Sequence, residues 1–173
     1  MFNLKDELIV IFTSLLPISE LRGAIPLAIF KFKFPLWKAF ILSIIGNTIP
    51  VIFLIFFLEI IERGFSRIKF LKKIFDSLKK RALKRKKIYE KYEIFGIYIF
   101  VAIPLPFTGA WTGCLLSYLL KLNPLKAFIS IFFGIITAGL VVSLIITVGI
   151  KFGILTGILF GILFLFILNL LTR

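Results

Sequence analysis

The chain has 173 residues, of which 60% are hydrophobic, and its mean hydropathy is +1.09. These values exclude a disordered chain and fit poorly with a soluble domain, even though the formal net charge is +14. The absence of His and the single Cys114 exclude an internal disulfide and leave almost no ligands for zinc or haem, so we expect no cofactor.

The first apolar segment, residues 8–34, is broken at its centre. Proline costs about 3 kcal/mol inside a helix, and a charge at the bilayer centre costs at least about 2.5–3.5 kcal/mol. The ten residues 8–17 make about 15 Å of helix, or half a bilayer, and residues 23–34 are of similar length. We therefore predict a re-entrant hairpin of two half-length helices, with a kinked spanning helix as the alternative. The interrupting residues include Pro17, Glu20, Arg22, Gly23 and Pro26.

An uninterrupted apolar stretch follows and predicts a transmembrane helix over 35–61. With the hairpin it forms a first half-unit, 1–62. Residues 63–92 then carry 13 of the 22 Lys and Arg residues but only two acidic residues. The positive-inside rule places this stretch in the cytoplasm. Its apolar spacing predicts an amphipathic helix within 63–93 that binds anionic lipid headgroups, and its place between membrane segments argues against nucleic acid.

The second half repeats this organisation. Residues 94–120 predict another re-entrant hairpin, 124–150 a transmembrane helix, and together they form a half-unit over 94–151. Its broken centre has no charge, and Thr108 is the predicted N-cap of the returning helix. A last transmembrane helix is predicted over 152–173.

A short sequence repeat links the two halves. Residues 38–46 and 126–134 align at a constant offset of 88, and a Gly-Ala pair precedes each copy. If both broken segments are hairpins, the half-units are inverted; if both span, they are parallel. We predict an all-α integral membrane protein with two inverted half-units and a C-terminal transmembrane helix.

Two motifs, residues 20–26 (Glu-Leu-Arg-Gly-Ala-Ile-Pro) and residues 104–113 (Pro-Leu-Pro-Phe-Thr-Gly-Ala-Trp-Thr-Gly), resemble the family of small multidrug export proteins. That family is similar to the DedA/VTT superfamily. The resemblance implies two inverted re-entrant hairpins and an association with lipid translocation or proton-dependent drug tolerance. The superfamily pattern has acidic and arginine residues in both halves, whereas the second hairpin here has neither.

The candidate pathway residues lie in the two broken centres and beside them. Glu20 could carry a coupling proton, because burial favours the neutral form of a carboxylate, and Arg22 could bind a phosphate or carboxylate headgroup. A structural ion pair is the alternative for both. Trp111 is alternatively an interfacial anchor, and Asn47 a helix–helix contact. The full predicted set is Glu20, Arg22, Gly23, Pro26, Asn47, Pro104, Pro106, Thr108, Gly109, Trp111, Thr112 and Gly113.

These features favour a small transporter or translocator of an amphiphilic or lipid-like anion, located in the plasma membrane. The alternative is a non-transporting assembly or insertion factor that docks through its basic cytoplasmic helix. We expect no enzymatic activity, because no carboxylate pair or Ser-base constellation lies near the broken segments. A chain of this length forms only a thin wall around a cavity, so a homodimer is an open alternative to a monomer.

Overall fold

The computed structural model describes residues 3–65, 93–105 and 108–171, and every regular element within these ranges is a helix. The first half contains two short helices and a long one, and so does the second. The six helices in this part of the chain are α1 (Leu4–Leu15), α2 (Glu20–Phe30), α3 (Leu36–Phe65), α4 (Glu93–Ala102), α5 (Ala110–Leu119) and α6 (Pro124–Leu171).

Each broken segment forms two separate short helices, as the sequence predicts. Helix α1 begins at the Asn3 cap, whose side chain accepts a hydrogen bond from the Lys5 N–H at 3.1 Å. It ends before Pro17, where Leu16 is already extended. In the second half, α4 ends at Ala102, shortly before Pro104. Proline therefore ends the first short helix in both halves.

The repeat extends from sequence into backbone conformation. Lys33 and Lys121, which lie 88 residues apart, are both in the left-handed region, with φ of 54° and 56°. The residue after each donates its N–H back into the preceding short helix: Phe34 to the Ala28 carbonyl and Leu122 to the Ser117 carbonyl, both at 3.0 Å. The same reversal of the chain thus leads into both long helices.

Two equivalent glycines let the first short helix of each half approach the long one. A Cβ at Gly46 would lie 2.5 Å from the carbonyl oxygen of Ile11 in α1. A Cβ at Gly134 would lie 2.7 Å from the Cβ of Val101 in α4. Close backbone approach at small residues is typical of helix pairs in membranes. The glycines that end the repeat therefore serve helix packing, once in each half.

Two helical stretches are long and apolar enough to cross a bilayer: Leu36–Leu58 and Pro124–Gly149, with mean hydropathies of 2.4 and 2.6. Both present large apolar side chains on their outer surface, including Phe53, Phe56 and Leu144. An exposed apolar surface of this kind suits a lipid environment.

Other predicted segments are described less fully. Helix α6 is interrupted at Gly153, where φ is 79° and ψ is 177°, so the predicted boundary near residue 151 coincides with a break in the helix. The backbone beyond it is helical, but the prediction of a third spanning helix over 152–173 stays a prediction. Residues 66–92, which hold most of the predicted basic amphipathic helix, lie outside the described residues.

Candidate functional site

The site lies where the connection between α1 and α2 meets the connection between α4 and α5. We call these the first turn (residues 16–19) and the second turn (residues 103–109). A cavity of about 300 Å³ lies between them. Both halves contribute to its lining, which among the described residues is formed by Pro17, Ile18, Glu20, Arg22, Gly109, Trp111 and Thr112.

Glu20 is the first residue of α2, but its side chain interacts with the N-terminus of α5. Its side chain is buried, and one carboxylate oxygen, Oε1, accepts a hydrogen bond from the Trp111 N–H at 3.4 Å. The Ala110 N–H and the side-chain amide of Asn47 are further partners of this carboxylate. The first N–H groups of a helix have no partner within it and carry a partial positive charge. The Glu20 carboxylate therefore caps a helix that belongs to the other half.

Two backbone features position this carboxylate. Glu20 has φ of 47°, a left-handed conformation that costs a non-glycine residue about 1–3 kcal/mol and is frequent at functional sites. Gly109, the N-cap of α5, leaves no room for a side chain, because a Cβ there would overlap both carboxylate oxygens of Glu20. Glycine is thus required at 109 by the close approach of the Glu20 side chain.

Arg22 also reaches into the second turn. Its guanidinium donates from Nη1 to the carbonyl of Leu105, and its Nη2 lies 3.5 Å from the hydroxyl of Thr108. The distance from Nη2 to the nearer oxygen of Glu20 is 3.8 Å, which permits attraction but no hydrogen bond. The two charges therefore lie side by side, and each is hydrogen-bonded to the opposite half: Arg22 to the Leu105 carbonyl, and Glu20 to the Trp111 N–H in addition to Asn47 of its own half. At this distance the two groups form an ion pair, so the alternative of a structural ion pair stays open.

Trp111 makes the reciprocal contact. Its indole Nε1 donates to the carbonyl of Leu15, the last residue of α1, at 3.2 Å. Arg22 of α2 does the same for Leu105 of the second turn. A side-chain N–H from the first turn of each second short helix thus donates to a backbone carbonyl at or just beyond the end of the opposite first helix. Trp111 therefore lines the cavity and links the two halves. These contacts are compatible with an additional role as an interfacial anchor.

The prediction that Thr108 caps α5 is wrong. Gly109 is the N-cap, and the Thr108 hydroxyl instead accepts from the Leu105 N–H at 3.2 Å and donates to the Ile103 carbonyl at 2.7 Å. Thr108 therefore stabilises the second turn, and the Glu20 carboxylate caps α5. The sequence shows only local cap candidates, and Glu20 is separated from the start of α5 by about half of the chain.

Several predicted turn residues lie elsewhere. Gly23 and Pro26 are inside α2 and Gly113 is inside α5, so they do not shape the turns. A Cβ at Gly113 would lie 2.7 Å from Val101, which makes it a packing position. Pro104 is in the second turn as expected. Pro106 lies outside the described residues.

Asn47 is buried in α3, where it is 1% exposed, and its side-chain oxygen has no hydrogen-bond partner. Because its amide contacts Glu20, it belongs to the site and is more than a helix–helix contact. Ile18 and the carbonyls of Leu15 and Leu105 were missed by sequence reasoning. Ile18 could have been found from its place beside Glu20 in the broken centre, whereas the carbonyl contacts have no sequence signal.

The fold and the site together define a small helical membrane protein with a buried acid, Glu20, and a half-buried base, Arg22, between two helix breaks. The chain belongs to the family described as Putative small multi-drug export protein, whose model matches residues 20–141. The matched region begins at Glu20 and includes the residues of both halves that line the cavity, except for Pro17 and Ile18. No curated protein and no solved structure matches the chain.

Proposed function

We propose that the chain is a small membrane transporter that moves an amphiphilic anion through the cavity between the two turns, without catalysis. The observation that carries this proposal is the position of Arg22. It is the cation of a cavity built by both halves, and its buried Nε has no hydrogen-bond partner. A guanidinium with a free donor suits a phosphate, sulfonate or carboxylate headgroup.

The cavity supports a headgroup with an attached apolar tail. Its volume of about 300 Å³ is at the lower end of the range for ligand pockets. Apolar side chains of Pro17, Ile18 and Trp111 line part of it, and Ile18 is 98% exposed. A small anionic group can occupy the polar side near Arg22 while an alkyl chain leaves past Ile18. Lipid-like molecules and charged amphiphilic drugs share this chemistry.

The transport mechanism we propose is alternating access around two re-entrant hairpins. Helices of 12 and 11 residues in the first half, and of 10 and 10 residues in the second, are about 15–18 Å long and too short to span. The repeated backbone reversal at Lys33 and Lys121 supports two equivalent half-units. We propose that these half-units are inverted, as the sequence resemblance to the DedA/VTT superfamily would imply, so that rocking of one half against the other opens the site to either side.

Uptake into proteoliposomes tests this function. The probe is radiolabelled octyl sulfonate, whose headgroup stays ionised across the working pH range. We expect wild-type protein to accumulate it when a pH gradient is imposed, and Glu20→Gln to give no accumulation, because the variant cannot carry the coupling proton. Glu7→Gln is the matched control, since Glu7 pairs with Lys38 at 2.5 Å outside the cavity. Uptake by wild type no faster than by empty liposomes would contradict the proposal.

The assembly or insertion factor remains the second candidate, and the basic stretch separates the two. We also propose that this stretch is cytoplasmic and binds anionic headgroups of the plasma membrane. If the chain is a transporter with its site at Glu20 and Arg22, we expect octyl sulfonate uptake to survive when Lys79, Lys80, Arg81, Lys84 and Arg85 are neutralised. If cells that carry the neutralised variant lose the phenotype that the wild-type protein confers, while cells that carry Glu20→Gln keep it, the assembly factor is favoured.

A further inference from the structure

We infer that the Glu20 carboxylate is an internal occupant of the anion site, and that one proton must bind Glu20 before an anionic headgroup can take its place. The inference rests on the proposed function, because it concerns the same cavity and specifies how the site is regulated. It makes the transported unit one proton together with one monoanion.

The first step is that the carboxylate already occupies the position an anion would take. It accepts hydrogen bonds from the N-terminus of α5 and lies beside the Arg22 guanidinium. Helix N-termini and arginine are the groups that bind phosphate and carboxylate ligands in proteins. The carboxylate oxygens of Glu20 lie so close to Gly109 that even an added Cβ would overlap them. This helix end therefore has no room for a second anion.

The second step concerns charge. With Glu20 ionised, the described residues that line the cavity include one negative and one positive group, so an added anion would leave this set with a net negative charge in a partly buried place. A proton on Glu20 removes the competing charge and leaves Arg22 as an uncompensated cation. A monoanionic headgroup then restores neutrality. Proton and anion therefore bind with positive coupling, and each raises the affinity of the other.

The third step is that the structure contains a partner for the protonated carboxyl group. The side-chain oxygen of Asn47 is a buried acceptor without a donor, and the same side chain already contacts Glu20. A protonated carboxyl group gains an O–H donor that it lacks when ionised. When the Asn47 amide group turns over, its orphaned oxygen can accept this O–H, and the carboxyl group can then release the N–H groups of α5 for the headgroup.

The groups that face Glu20 are few in the described part of the chain. Arg22 on α2 and Cys114 on α5 are the titratable ones that interact with it electrostatically, and Asn47 on α3 is polar and uncharged. Arginine does not deprotonate in proteins. A Cys114→Ser background removes the thiol, so that pH effects in the experiment below report on Glu20.

The test is binding of octyl sulfonate to the full-length protein in neutral-lipid nanodiscs at several pH values. Trp37→Phe leaves Trp111, which lines the cavity, as the remaining tryptophan and fluorescent reporter. We expect the Cys114→Ser, Trp37→Phe protein to lose affinity for octyl sulfonate by about tenfold for each unit by which the pH rises, once Glu20 is mostly ionised. The reason is that the fraction of protein with a protonated Glu20, which is the form that binds the anion, falls by that factor. Adding Glu20→Gln should make the affinity independent of pH and tighter than in the parent at high pH. Binding that still varies with pH in this variant would overturn the inference.

Proton uptake gives a second measurement that needs no change at Glu20. In weakly buffered solution with a pH dye, wild-type protein should take up about one proton for each octyl sulfonate bound, at any pH where Glu20 starts ionised. Binding without proton uptake would overturn the inference. If the probe is transported without proton uptake, the inference fails and the proposed function stands. If the probe binds with proton uptake but is never transported, the proposed function fails and the coupling stands.

Discussion

Replacing Arg22 with alanine is expected to weaken octyl sulfonate binding by about 10- to 100-fold and to reduce its transport in parallel. The substitution removes the cation of the cavity, and hydrogen bonds to charged groups contribute about 1.5–3 kcal/mol each. It also leaves Glu20 buried without the neighbouring positive charge and removes the contact with the Leu105 carbonyl. Fluorescence titration and proteoliposome uptake measure the two effects.

Arg22→Lys separates charge from shape. Lysine keeps the positive charge but cannot reach Leu105 and a headgroup with one planar fork, so we expect an intermediate affinity. Lys31→Ala is the matched control, because Lys31 is an exposed cation just beyond the same helix. A normal binding constant and normal uptake in Arg22→Ala would show that the headgroup binds elsewhere.

Gly109→Ala is expected to abolish both anion binding and transport. The new Cβ would overlap the Glu20 carboxylate, so that the carboxylate is forced away from the N-terminus of α5. The methyl group then fills the place that a headgroup would occupy after protonation. We expect binding too weak to measure at concentrations that saturate the wild type, in a protein that keeps its helical circular dichroism.

Gly149→Ala is the control for this substitution. It adds the same methyl group to a glycine of α6 where an added Cβ would meet no described atom outside its own helical backbone within 4 Å, and we expect wild-type binding. If Gly109→Ala binds octyl sulfonate normally while the control also does, the α5 N-terminus takes no part in anion recognition.

Much of the fold was predictable from local sequence rules. Prolines and charges in apolar segments forecast the helix breaks, and the 88-residue repeat forecast equivalent entries into α3 and α6. The two motifs carried the family resemblance, and the match over residues 20–141 confirms it. These signals depend on spacing along the chain, which is what a sequence displays.

The pairing across the site was beyond such rules. Glu20 and Arg22 were recognised as unusual, but their partners at Trp111, Leu105 and Thr108 come from the other half of the chain. Two of these contacts use backbone atoms, which every residue possesses. The assignment of Thr108 as a cap failed for the same reason, because a distant carboxylate took over the local role.

The central claim is that two inverted hairpins bring the turns together within the membrane. The measurement that tests it most directly is the sidedness of cysteine labelling at Lys33 and Lys121, the exposed, equivalent residues that precede the long helices. Each is replaced by cysteine in a Cys114→Ser background and treated with a membrane-impermeant thiol reagent. Inverted hairpins predict that Lys33→Cys is labelled from outside and Lys121→Cys from the cytoplasm. Labelling of both positions from the same side would mean that the broken segments span the membrane, and would contradict this account.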